Sequence, residues 1–437
     1  MSARKIALRV LTSCRKSGAW ADAAIAAQLK NATLSAADSA LCSRIVYGVL
    51  QNQIYLDYII RFYLTQKPEK LQPQLPEILR IGAYQILFLD RVPDHAAVNE
   101  SVELAKSGGL SKASGLVNAV LRKISDQKNH LPPLPKEAKE RLSVQYSAPP
   151  WLVDRAVSLL GEEAEAFLKA QNEEAPTTAQ CNPLKTTPER LLDELQNCGV
   201  NAKRHPWAKN CLELTGSGDL TTLKPFYDGG FTVQDTAAAL VASAIGLKGG
   251  ENVLDVCAAP GGKSFSAAFA MGNRGHILSC DLHENKLTRI REGAKRLGVT
   301  CIETACADGR KFFEKWENQF DVVICDVPCS GIGIIRKKPD IRYKDPAQFS
   351  DLPAIQAAIL QNAARYVTPG GILLYSTCTV LPEENEQVTE AFLQANCNYS
   401  YDHFTLPIGS YDGHITFWPH RHQTDGFYLA KMRKAER

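Results

Sequence analysis

The chain reads as an α/β protein. Its C-terminal half holds a parallel sheet covered by helices on both faces, preceded by an all-α domain and a small α+β module. Three observations carry this. From residue 229 onward, short apolar strands alternate with helix-length segments, the pattern of a sheet built from crossover units. Across residues 1–130, apolar positions recur at spacings of three and four, as in Ile45, Val46, Val49 and Leu50. Proline there is scarce apart from the loop positions Pro68, Pro73, Pro76 and Pro93. Residues 129–136 (NHLPPLPK) form a proline-rich break that cannot continue a helix.

Taken in order, residues 1–16 are basic and free of acids, but Arg9 and Arg15 interrupt the apolar stretch, so the core of a signal peptide is missing. Ile6, Ala7, Val10 and Leu11 instead recur at helical spacing and predict an ordinary first helix. The all-α domain is expected over residues 1–130. The α+β module is expected over 137–230, with helices at Pro150–Leu160 and 187–198 and strands at Thr177–Cys181 and 211–214. The α/β domain is expected over 231–437. Its strands are expected at residues 252–256, 276–280, 300–306, 321–326 and 371–376, and its helices at 264–271, 286–297, 353–367 and 382–395. No internal repeat or low-complexity tract interrupts the chain.

Composition bounds the function. A length of 437 residues implies two or three domains, and 45% hydrophobic with 22% charged residues describes a soluble globular protein. No run of about 18 uncharged apolar residues is present, so no membrane span is expected. The thirteen cysteines show no CxxC pair and no zinc spacing; no metal is expected, and eleven of them read as buried free thiols of a reducing cytoplasm. The net charge of +3 is unevenly spread: residues 1–130 hold 17 Lys+Arg against 10 Asp+Glu, while the rest is close to balanced. A basic N-terminal third on a near-neutral body fits a nucleic-acid-docking module.

The motif VLDVCAAPGGKS (residues 253–264) runs a strand into a glycine turn and a helix. Ligands of open parallel sheets bind beyond such strand ends, where glycines permit close backbone approach and the helix start offers N–H groups. A P-loop would need glycine five residues before Gly262, where Cys257 stands, and Asp255 in the strand disfavours a triphosphate. The next strand leads to Asp281, 26 residues after Asp255, suited to both ribose hydroxyls, and the third leads to Asp308, suited to an adenine amino group. The turn has too few spaced glycines for a dinucleotide. An adenosyl cofactor, S-adenosylmethionine, fits better.

Two later strands end in cysteines: Cys329 in DVVICDVPCSG (321–331) and Cys378 in LLYSTCTV (373–380), with Asp326 on the first. This set suits methylation of a pyrimidine carbon. Carbon 5 of cytosine becomes nucleophilic only after a thiolate adds at carbon 6; an acid must meet ring nitrogen 3, and a further group must manage the final elimination. Spacing alone leaves open which cysteine attacks.

These segments resemble the RNA 5-methylcytosine methyltransferases, in particular the bacterial 16S rRNA (cytosine-5)-methyltransferases of the Sun/Fmu (RsmB) family. Further matches are FTVQD (231–235), RKKPD (336–340), PEENE (382–386) and TDGFYLAKM (424–432), so that the likeness covers about 200 residues. The resemblance implies a Rossmann-like domain dependent on S-adenosylmethionine (SAM), with Cys378 as nucleophile and Cys329 assisting product release. It also implies a SAM site formed by Cys257, Ala258, Ala259, Pro260, Gly261, Gly262, Lys263, Asp281, Asp308 and Asp326, with Asp326 facing the base as well. Residues 78–106 and 115–123 resemble the RNA-binding helical domain of the antitermination factor NusB, and YSAPPWLV (146–153) resembles the opening of the family's small module. The expected partner is 16S rRNA, naked or in an early small-subunit particle, met in the cytoplasm by a monomer. Methylation of tRNA or large-subunit rRNA is the rival within enzymes. A non-catalytic RNA-binding factor is the rival outside them, and the retained cysteines and acids argue against it.

Overall fold

The computed structural model describes residues 2–30, 32–65 and 71–436; Pro68 lies outside them. The chain divides into two compact units. One comprises Met1–Glu173 with Ile335–Lys344, the other Glu174–Ile334 with Asp345–Arg437.

The first unit is helical. Helices Ala3–Ser17, Ala21–Lys30, Ala36–Gln51, Gln53–Tyr63, Leu75–Phe88, Asp94–Ser107 and Ser114–Asp126 surround one apolar core, with Ala138–Gln145, Pro150–Leu160 and Ala164–Ala170 following. Ile6, Ala7, Val10 and Leu11 are all buried, as their spacing predicts. Ser2 and Ser35 cap the first and third helices by accepting from the N–H groups three residues on. Gly48 is required by packing, since a Cβ there would lie 1.9 Å from the Tyr84 ring. The buried Arg80 is neutralised by a bidentate pair of 2.7 Å bonds to Asp57 and a 2.8 Å bond to Glu77.

A segment far away in sequence completes this unit. After Ile334 the chain enters it and leaves at Lys344. Asp340 accepts from the Ala21 N–H at 3.2 Å, and Ile335 and Ile341 are buried. Arg342 is 1% exposed and donates to the carbonyls of Gln51, Tyr146, Ser147 and Gln171 and to the Asn172 side chain, at 3.0–3.2 Å. RKKPD and the residues after it thus belong physically to the helical unit.

The second unit holds the expected α+β module from Glu174 onward and the large sheet, while the module's helix Pro150–Leu160 falls in the first unit. Strands β1 (Thr177–Cys181), β2 (Asn201–Arg204), β3 (Cys211–Thr215) and β4 (Phe231–Val233) form an antiparallel sheet in the order β2-β3-β1-β4. Helix Pro188–Asn197 packs Leu191 and Leu195 into its core. The large sheet has a parallel centre: β5 (Asn252–Asp255), β6 (His276–Asp281), β7 (Ile302–Cys306), β8 (Phe320–Asp326) and β9 (Val367–Thr377), in the order β9-β8-β5-β6-β7. Helices Gly262–Ala270, Glu284–Leu297 and Leu352–Tyr366 are the crossovers, and separate apolar clusters line its two faces.

Three expectations are corrected. The sheet is mixed rather than wholly parallel. Beyond β10 (Tyr399–Tyr401) and the separate hairpin β11 (His403–Leu406) and β12 (Gly409–Asp412), β13 (His414–Phe417) and β14 (Phe427–Lys434) return to it. β14 lies antiparallel between β9 and β10. Its first six residues are all buried, so it lacks the alternation that marks a half-exposed strand. The helix expected at 382–395 is broken at Asn385 into a short turn, Pro382–Glu384, and a helix, Glu386–Ala395, because the Asn385 side chain is bound to Thr377 and Thr379. Finally, of the eleven cysteines read as buried, Cys198, Cys306 and Cys397 are exposed and Cys14, Cys257 and Cys301 half-buried. Cys306 ends the edge strand β7, which has a neighbour on one side only.

Candidate active site

Parallel pairing brings the carboxyl ends of β5, β6, β7, β8 and β9 to one edge of the sheet, and every predicted site residue lies there. Asp255 closes β5, fully buried. Ser264 donates to its Oδ2 at 2.7 Å and lies 2.7 Å from the Ser279 hydroxyl. Burial pushes the Asp255 carboxyl up to about 7, against the Ser264 bond that favours its charge. Its role is to tie the glycine turn to β5 and β6.

Cys257, Ala258, Ala259, Pro260 and Gly261 make the turn. The Ala258 N–H donates to the Cys280 carbonyl at 2.7 Å, and the Ala259–Pro260 peptide is cis. Gly261 has φ +112°, and a Cβ there would lie 2.7 Å from the Phe265 ring, so the position demands glycine on two counts. Helix Gly262–Ala270 starts at once, presenting the N–H groups of its first turn. Ser266 in that helix donates to Gln180 and Gln234, which pins the turn to the α+β module at 2.8 and 3.1 Å.

Asp281 is nearly buried at the end of β6, where its Oδ1 accepts from the His283 N–H at 3.0 Å and faces Lys286 at 3.4 Å. Leu282 beside it is half-exposed, a large apolar side chain facing solvent at the edge where a flat ring could lie. Asp308 follows β7 with both oxygens 2.9 Å from the Arg310 guanidinium, which holds its carboxyl below the usual range. The edge therefore offers a glycine turn, a strand-end carboxylate and an exposed apolar side chain in one row. These residues fit an adenosyl cofactor.

Along the same edge, β8 and β9 pair Asp326 with Ser376. Cys329 and Cys378 follow directly beyond that pair, and their sulfurs lie 3.2 Å apart. The Cys378 N–H points at the Cys329 sulfur at 3.3 Å, and the Cys378 carbonyl accepts from Gly333 at 3.0 Å. A Cβ on Gly333 would come within 2.1 Å of the Gly426 carbonyl, so the Cys329 loop is packed backbone to backbone against the segment before β14. Asp326 Oδ1 accepts from Ser376 at 2.8 Å, and its Oδ2 lies 2.5 Å from the Lys263 ammonium. Burial works against the charge on Lys263, but Asp326, with Cys378 and Asp255, outweighs it and raises its pKa.

The structure thus brings all predicted catalytic and cofactor positions to one edge, gives Lys263 a second partner there, and adds three residues. Lys263, assigned by sequence to the cofactor, follows the glycine turn and reaches Asp326, within electrostatic reach of Cys378. Ser376 orients Asp326. Glu384 and Gln356 are bound to the Cys329 turn, and only the PEENE match hinted at the first of them.

Three family models match in chain order: the NusB family over residues 1–126, the ferredoxin-like domain of RsmF/B-like methyltransferases over 148–221, and 16S rRNA methyltransferase RsmB/F over 242–433. The probable ribosomal RNA small subunit methyltransferase B of Bacillus subtilis is 37% identical over 99% of both chains, and that of a Synechocystis strain is 35% identical over 100% of both. Among solved structures, PH0851 matches with TM-score 0.81 at 28% identity, covering 99% of each chain. A methyltransferase homologue from Pyrococcus horikoshii matches with TM-score 0.58 at 29% identity, over 69% of this chain and all of the other. With likeness running from end to end and the domains in the same order, this chain belongs to the RsmB/F family of 16S rRNA methyltransferases, which draw their methyl group from S-adenosylmethionine.

Proposed function

We propose that the chain methylates carbon 5 of a cytosine in 16S rRNA through a covalent Cys378–cytosine adduct. The observation that supports this best is the pair of sulfurs 3.2 Å apart beside an acid–ammonium pair, since methylation at nitrogen or oxygen needs no second thiol. Cys378 gives its thiol proton to solvent, and its sulfur then forms a bond to carbon 6. The ring gains electron density at nitrogen 3, where the Lys263–Asp326 pair can deliver a hydrogen bond because it carries one proton more than a lone carboxylate. S-adenosylmethionine, when bound, would supply an electrophilic methyl group for carbon 5, the electrons of the broken methyl–sulfur bond staying on the cofactor's sulfur as a neutral thioether. A base then removes the carbon 5 proton, the freed pair restores the ring double bond, and the carbon–sulfur bond breaks with Cys378 leaving as thiolate. Cys329, in contact with that sulfur, assists the departure.

In this reading residues 257–263 hold the methionine end and Asp281 the ribose. Asp308 would accept from the adenine amino group, and Asp326 would serve the cofactor site and face the base. The three segments 1–130, 137–230 and 231–437 act as RNA-docking, connecting and catalytic parts of a cytoplasmic monomer. It meets 16S rRNA naked or in an early small-subunit particle.

The test is covalent capture. Cys329→Ala should accumulate a slow RNA-linked band on denaturing electrophoresis with labelled rRNA, dependent on SAM for full yield and absent when Cys378→Ala is added. A band with Cys378→Ala instead would exchange the two roles, and no band with either would remove the adduct from the scheme.

A further inference from the structure

Two thiols in contact pose a question that the fold answers locally: why one attacks and the other assists. The Cys329 turn is held from beneath by a carboxylate that the reaction scheme does not use. Glu384, 1% exposed, accepts with Oε2 from the Ser330 N–H and from Gln356 Nε2, both at 2.9 Å. Gln356 also donates to the Pro328 carbonyl at 2.9 Å, so the two side chains bracket the backbone on either side of Cys329. Tyr375 fixes the Glu384 backbone by donating to its carbonyl at 2.5 Å. Among the described residues, Glu384 Oε1 has no hydrogen-bond partner, although it is buried.

A buried carboxylate with one oxygen lacking a hydrogen-bond partner is costly to keep for packing alone. Lys263 pairs with Asp326 and is within electrostatic reach of Cys378. Cys329 has the Cys378 sulfur in contact and the Glu384 side chain bound to the next backbone N–H. The Cys378 and Gly331 N–H groups are the opposing influences. The balance favours the neutral thiol: hydrogen bonding to Cys378, burial, and the charges of Cys378 and Glu384 push Cys329 well above the ordinary range.

We propose that Glu384 is the positioning residue that makes the two sulfurs unequal. With Gln356 it clamps the Pro328–Ser330 turn so that Cys329 faces Cys378 as the hydrogen-bond donor of the pair. This rests on the Cys378-nucleophile reading above. It assigns Cys329 a definite action: its S–H donates to the Cys378 sulfur as the bond to carbon 6 breaks and that sulfur departs with the bonding electrons. Cys329 keeps its proton throughout.

The experiment reads thiol reactivity in the full chain without RNA or SAM. A pulse of iodoacetamide from neutral to alkaline pH is followed by peptide mapping of both cysteines. In the parent, Cys329 should label more slowly than Cys378 near neutrality and need a higher pH. Glu384→Gln keeps an oxygen for Ser330 and Gln356 but removes the charge. It should shift the Cys329 profile down by about one pH unit, a gain of about tenfold in labelling rate at fixed pH. A role confined to packing predicts no shift with Glu384→Gln, and that result would overturn the proposal. So would a parent in which Cys329 labels first, a measurement that needs no variant to fold. Because the titration uses neither substrate, failure of the cytosine reading shows up separately, as a missing adduct with Cys329→Ala while the thiol profiles stand.

Discussion

At the scale of single residues, the acids and thiols at the candidate site have partners that set their state, and those partners are the hardest part to read from sequence. Asp281 is legible because it ends a strand after a glycine turn, whereas its acceptance of the His283 N–H is not. The second role shapes the test of the first. Asp281→Asn keeps an acceptor for His283 but cannot take both ribose hydroxyls as a carboxylate does. It should weaken SAM binding by about 1.5–3 kcal/mol, the range for a hydrogen bond to a charged group. Thermal stability should stay close to the parent. Calorimetric titration with unchanged SAM affinity would place the ribose elsewhere. Lys263 carries the same lesson: a lysine in a glycine turn reads as a cofactor contact, yet its nearest carboxylate belongs to a strand more than sixty residues later.

At the scale of elements, the segment Ile335–Lys344 departs furthest from expectation. It follows the Cys329 loop in sequence but packs in the helical unit, with Arg342 as its anchor. Burial pulls the Arg342 pKa down, yet the guanidinium keeps its charge by facing four backbone carbonyls rather than a carboxylate. Removing it would take a donor from all four, two of them on the buried residues Ser147 and Gln171. Arg342→Ala should destabilise the helical unit by at least about 3 kcal/mol, since several bonds to one charged group disappear together. Arg342→Lys should recover little, because an ammonium cannot span a forked set of acceptors. Hydrogen exchange in helices Ala36–Gln51 and Gln53–Tyr63 would report the loss; unchanged protection there would show that the anchor contributes nothing. No periodicity or charge pattern marks this segment as foreign to the sheet domain. Only its packing does.

At the scale of the whole molecule, the basic excess of residues 1–130 is the feature that sequence composition shows best. Deleting those residues is a poor test of it, because the deletion would strip Asp340 and Arg342 of partners and expose Ile335 and Ile341. Surface charge removal is cleaner. Lys112, Arg122 and Lys123 are exposed on and beside helix Ser114–Asp126. Replacing all three by alanine should weaken 16S rRNA binding at low salt and flatten its salt dependence by roughly 0.7–0.9 for each phosphate that is no longer neutralised. SAM binding should be unaltered. An unchanged salt slope in filter binding would place the RNA on another surface.

Local and periodic signals in the chain are enough to specify the alternation that builds the parallel centre of the sheet and the helical character of the first unit. They also specify the identities of the turn, acids and cysteines at the sheet edge. Such signals are a glycine where φ is positive, a proline that stops a strand, and apolar residues at the period of a helix or strand. The folded chain alone settles the return of β14 into the sheet, the docking of residues 335–344 in the helical unit, and the surroundings that distinguish Cys329 from Cys378. Each of these pairs residues tens to hundreds of positions apart. The choice among such pairings depends on burial and hydrogen-bond satisfaction summed over the folded chain, which no window of sequence contains.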